Sequence, residues 1–102
     1  MIKILVENKN DLINHIIIKG HAGYGIKGND IVCASVSSIT ITSLNAIIRI
    51  DSKAISFDQS EGFIEVYINK HNKYIDIILE NMISLLEEWK KQYEKNINID
   101  RR

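Results

Sequence analysis

The sequence predicts an α+β two-layer sandwich: a four-stranded, mostly antiparallel sheet carrying two helices, in the order β-β-α-β-β-α. Three observations lead there. Strand-like alternation occurs in two pairs of short segments, each pair joined by a turn cluster. Each pair is followed by a long segment of helical character. The chain has 102 residues, 45 % of them apolar, which suits one domain over residues 1–102 with one modest core.

Residues 2–7 read as the first strand, with Ile2, Ile4 and Val6 on one face and Lys3, Leu5 and Glu7 on the other. Asn8 to Asp11 form a turn cluster. The second strand covers about 12–20. It sets Leu12, Asn14, Ile16 and Ile18 against Ile13, His15, Ile17 and Lys19. Residues 21–29 hold Gly23, Gly25 and Gly28 and read as a loop. Asp30 is a helix N-cap, and residues 31–50 form the first helix. Thr40-Ile41-Thr42 is a poor helix former, so a helix followed by a strand over 39–50 is the rival. Length and weak alternation favour the single helix. Strands at 54–58 and 62–69 are joined through Gln59-Ser60-Glu61-Gly62. The last helix, about 72–95, carries Ile75, Ile78, Leu79, Met82, Ile83, Leu86, Trp89 and Tyr93 on one face. Asn96 to Arg102 read as a frayed end. One sheet face is expected to hold both helices.

Basic and acidic residues number 13 each, so the net charge is zero. That argues against a general nucleic-acid binder and leaves little repulsion between copies, so a dimer fits. The single cysteine, Cys33, excludes an internal disulfide framework and any multi-cysteine metal site. Apolar runs are too short to span a membrane, and Met1 to Asn10 lack a signal-peptide core. A cytoplasmic protein is expected. His15, His21 and His71 lie on separate elements without metal-ligand spacing, so no metal and no other cofactor is expected. His15 reads as a satisfied sheet residue.

The chemistry concentrates between Gly20 and Ser37. Cys33 falls in the first turn of the helix capped by Asp30. Free N–H groups and the helix dipole favour an anion there and lower a thiol's pKa. His21, at a strand end, would pair with the thiolate and protonate a leaving amine. The helix-start N–H groups would hold an oxyanion. The plainer alternatives are a small buried cysteine, a surface histidine and glycines that only make turns. The glycines match no phosphate-binding fingerprint.

Gly20-His21-Ala22 and Gly28-Asn29-Asp30-Ile31-Val32-Cys33-Ala34-Ser35-Val36-Ser37 resemble the signature of the bacterial ribosomal-processing cysteine proteases, the Prp family. That signature is Gly-His-Ala, a variable glycine-containing loop, then Gly-x-Asp-Ile-Val-Cys-Ala-Ala-Val-Ser. Ser35 departs from it, standing where the family has alanine. The resemblance implies a compact α+β homodimer of the cytoplasm that removes the N-terminal extension of large-subunit ribosomal protein L27. Cys33 is then the nucleophile and His21 its catalytic partner. Asp30 and Ser37 match supporting positions. Asp30 either caps the helix or orients His21, and its spacing favours the cap. Gly23, Gly25 and Gly28 are expected hinges of a loop that closes over an extended peptide, with Tyr24 and Ile26 against apolar substrate side chains.

Three rivals stand beside this reading. A ribosome-associated adaptor would use the loop as a peptide clamp with Cys33 inert. An RNA-binding factor would need a basic surface and show steep salt dependence. A hydrolase of small thioesters could use the same Cys33 and His21.

Overall fold

The computed structural model describes residues 1–23 and 30–102. The chain runs β1 (Ile2–Lys9), β2 (Leu12–Lys19), α1 (Ile31–Ile50), β3 (Ile55–Ser60), β4 (Phe63–Ile68), α2 (Lys73–Gln92) and β5 (Ile97–Arg101). Both strand hairpins turn on two residues. Asn10 and Asp11 adopt φ of 54° and 63°, a conformation their short polar side chains tolerate.

The sheet corrects the sequence expectation. It has five strands in the order β3-β4-β2-β1-β5 and is mixed. β1–β2, β2–β4 and β3–β4 pair antiparallel. β5 pairs parallel with β1, setting Ile2 beside Ile97 and Ile4 beside Ile99. The segment expected to fray is therefore an edge strand. Its Ile97 is buried, and the Ile97/Ile99 alternation is the short-range trace of that role. Parallel pairing needs a long crossover, which α2 supplies between β4 and β5.

A second correction lies in β2. Its register shifts between Glu7 and Asn8, with Glu7 opposite His15 and Asn8 opposite Ile13. Asn14 is the extra residue of a β-bulge. Ile13, Ile16 and Ile18 consequently all point inward, although strict alternation places Ile13 on the opposite face.

α1 is continuous, so the rival strand over 39–50 does not form. Burial overrides propensity at Thr40: the side chain is fully buried and its hydroxyl donates to the Val36 carbonyl at 2.8 Å. Ser43 does the same to Ile39 at 2.8 Å. α1 has the length and apolarity of a membrane-crossing helix; Val32, Val36, Leu44 and Ile47 carry part of that apolarity into the core. α2 is capped by Asn72, whose Oδ1 accepts from Tyr74 N and Ile75 N. It buries Ile75, Leu79, Met82, Ile83 and Leu86. The core lies between both helices and one face of the sheet, where Ile4, Val6, Ile16 and Val66 are 2 % exposed or less.

The opposite sheet face carries a charged clamp. His15 Nδ1 lies 2.8 Å from Glu7 Oε1 and its Nε2 lies 2.8 Å from Glu65 Oε2. A neutral imidazole has one N–H, so serving both carboxylates requires the imidazolium. The Tyr67 ring packs on it at 4.9 Å between centroids. Burial pulls the His15 pKa down, but Glu7 and Glu65 outweigh this and raise it above 6.5. A group whose pKa rises on folding contributes its stability fully below its unfolded value and loses it as pH climbs through the folded one. Glu65 is lowered by the same hydrogen bond, so its share is lost toward acid. Relative to His15→Gln, the protein should therefore lose thermal stability as pH rises from 6.5 into the alkaline range. Parallel Tm-against-pH curves for the two proteins would contradict the clamp.

Candidate functional site

The site is built at the end of the sheet where β2 stops, β4 starts and α1 begins. Asp30 is extended (φ −77°, ψ 103°), and its Oδ1 accepts from Val32 N at 2.9 Å and Cys33 N at 3.0 Å. The Asp30 carbonyl accepts from Ala34 N at 3.1 Å. Asp30 therefore caps the helix. The cap has a chemical consequence that spacing does not reveal. The N–H groups of Val32, Cys33 and Ala34, expected to hold an oxyanion, are already engaged.

Cys33 is half-buried under the strand end. The backbone N–H of Ala22 donates to its Sγ at 3.1 Å. Burial pushes the Cys33 pKa up. The Ala22 N–H opposes that shift, while the Asp30 carboxylate adds to it. Burial and the Asp30 carboxylate thus work against the thiolate that the helix dipole favours: the group that caps the helix also sets a negative charge beside the sulfur.

His21 is exposed and lies across the β3–β4 turn. A Cβ built on Gly62 would stand 2.9 Å from His21 Nε2 and 3.2 Å from Cε1. Gly62 has φ +68° and accepts the Gly20 N–H at 2.9 Å. Glycine thus serves the turn and at the same time leaves room for the imidazole. His21 and Cys33 line one cavity of about 190 Å³. Ile2, Ile18, Val36, Phe63 and Ile64 give it apolar walls, and Ser37, Gln59 and Ser60 line it as well. Ser37 follows Cys33 by one helical turn. Gly23 has φ +69°, with nothing among the described residues within 4 Å of where its Cβ would stand. Tyr24, Gly25, Ile26 and Gly28, the rest of the expected substrate loop, lie outside the described residues.

Sequence reasoning missed two contributors. Gly62 is legible as a turn glycine, but nothing local marks it as the seat of His21. Asn96 Nδ2 donates to the Ala22 carbonyl at 2.8 Å, and no motif signals it.

The shared role of Asp30 makes a prediction. Asn caps as well as Asp, so Asp30→Asn should keep Tm within about 2 °C of the parent. It also removes the charge that raises Cys33. Alkylation of Cys33 at pH 7.5 should therefore quicken by about threefold. A slower reaction would mean that the carboxylate does not act on the sulfur in this way.

The family model described as cysteine protease Prp matches residues 1–98. Proteins named ribosomal processing cysteine protease Prp from two Staphylococcus aureus strains are 31 % identical over 96 residues, 91 % of each chain. The crystal structure of the essential S. aureus Prp with a covalently linked product peptide superposes at a TM-score of 0.91, with 28 % identity over 100 % of both chains. The same protease with a substrate peptide gives 0.87 at 26 % identity, again over 100 % of both chains. A Streptococcus mutans structure at 19 % identity shares the fold, with a TM-score of 0.82 over 99 % of this chain and 93 % of that one. The signature around Cys33, the five-stranded architecture and the matched span of residues 1–98 converge: the chain belongs to the ribosomal-processing Prp family and is a cysteine protease.

Proposed function

We propose that residues 1–102 act as one protease domain that removes the N-terminal extension of ribosomal protein L27 by a Cys33–His21 dyad. One observation carries this reading: His21 and Cys33, on different elements, open into the same apolar-walled cavity. His21 takes the Sγ proton as the sulfur attacks the scissile carbonyl. The C–S bond forms, and the carbonyl π pair moves to oxygen. As the tetrahedral species collapses the C–N bond breaks, and the amine leaves with the proton from His21. Water, deprotonated by His21, then opens the thioester and restores the thiol. The Ala22 N–H stabilises negative charge on the sulfur during attack and departure. Ser37 stands in the cavity wall as a substrate contact. The covalently linked product peptide of the S. aureus relative is consistent with an acyl-enzyme route.

The protein works as a cytoplasmic homodimer, with neither nucleic acid nor membrane as a direct partner. Support for the dimer comes from the zero net charge and from the sheet face that no helix covers. Support for the compartment comes from the single cysteine, left as a free thiol.

The test is incubation with a peptide spanning the L27 extension, read by mass spectrometry beside Cys33→Ala. One defined cut, absent from the variant, is expected. A folded protein that cuts nothing and whose Cys33 resists alkylation would instead be a peptide-binding adaptor. A reactive Cys33 without cleavage would keep the enzyme and discard L27.

A further inference from the structure

The nucleophile's surroundings are held from the far end of the chain. Ala22 is only 3 % exposed and is gripped from both sides. Its N–H points at Cys33 Sγ, 3.1 Å away. Its carbonyl accepts from the side-chain amide of Asn96 at 2.8 Å. The backbone carbonyl of Asn96 in turn accepts the N–H of Ile2 at 2.8 Å, which ties Asn96 to the start of β1. The residue after Ala22 is Gly23, in a left-handed conformation with nothing among the described residues within 4 Å of its Cβ position. The Ala22 methyl is packed in the core, Gly23 adds no side chain beside it, and the two hydrogen bonds fix how its N–H and carbonyl are turned.

We infer that Asn96 is a positioning residue for the reaction: its amide holds the Ala22 carbonyl so that the Ala22 N–H stays aimed at the Cys33 sulfur. The inference rests on Cys33 being the nucleophile. A peptide N–H directed at a sulfur favours the thiolate over the thiol, because an anion is the stronger acceptor. Asn96 touches neither the sulfur nor the bound peptide in this scheme. Its effect reaches the reaction through one residue, across the Ala22 Cα that joins the peptide of the carbonyl to the peptide of the N–H.

The experiment is the pH profile of Cys33 alkylation by iodoacetamide in the full-length protein, with Asn96→Ala, Asn96→Leu and Arg101→Gln compared. Asn96→Ala should move the profile upward by about one pH unit and slow alkylation at pH 7.5 by about tenfold, the size of one hydrogen bond to a charged atom. Asn96→Leu keeps the branched shape without the donor, and carries the same expectation should the alanine variant not fold. Arg101→Gln removes the Glu80 pair on the same C-terminal segment and should leave the profile in place while lowering stability. A folded Asn96 variant with the parent's profile overturns the inference, as does an equal shift in Arg101→Gln. The readout needs no peptide, so failure to cleave the L27 extension strikes the proposed substrate and leaves this result standing.

Discussion

Cys33→Ala is expected to abolish peptide cleavage and leave the protein folded. Loss of the nucleophile in an enzyme whose groups act as a unit costs on the order of a thousandfold or more, so cleavage should fall below detection. The structural cost is small. Cys33 is half-buried at the rim of the core, where it packs against buried residues without being one of them. Alanine is the better helix former in the first turn of α1, and the Asp30 cap reaches Cys33 through its backbone N–H, which alanine keeps. The Ala22 N–H loses its sulfur acceptor, one hydrogen bond worth about 1 kcal/mol. The expected Tm lies within a few degrees of the parent. Residual cleavage at the same bond in purified Cys33→Ala would remove Cys33 from the mechanism.

Gly62→Ala should cost both activity and stability, for separate reasons. A side chain at φ +68° carries a strain of about 1–2 kcal/mol, which lowers Tm by several degrees. The added Cβ would also stand 2.9 Å from His21 Nε2, closer than real contacts allow. The imidazole is the group that can yield, and it must move away from its seat. Misplacement of a reacting group by about 1 Å costs on the order of a hundredfold. Gly62→Asn separates the two effects, since asparagine tolerates the left-handed conformation yet still introduces a Cβ. Its Tm should recover while cleavage stays low. Full cleavage by Gly62→Asn would show that His21 does not need this position.

The parts of the fold legible in the sequence are those written over short distances. Asn10-Asp11 marks the first hairpin, Asp30 the start of α1, and the spacing from Ile75 to Leu86 the buried face of α2. The motif from Gly20 to Ser37 points to the dyad residues, and the structure opens His21 and Cys33 into one cavity. What escaped depends on distant partners. Ile97-Asn98-Ile99 is too short and too charged at its end to announce a strand, and only β1 beside it makes it one. The bulge at Asn14 breaks a period that alternation assumes constant. The acidity expected of Cys33 is opposed by burial, which spacing does not show, and by the cap that identifies the helix start, which occupies its donors and adds a charge.

The parallel pairing of β5 with β1 has a consequence for the order of events during synthesis. β1 meets β2 as soon as a hairpin's worth of chain has emerged, but its other neighbour is made after everything else described. Contacts of such long sequence separation form late. Asn96, which braces Ala22 beneath the sulfur, arrives with that strand. A nascent chain would therefore carry Cys33 and His21 long before the segment that orders their surroundings. The proteolytic site would reach working order only once Asn96 and β5 have been made, so a nascent chain stopping short of them would have little capacity to cut its neighbours.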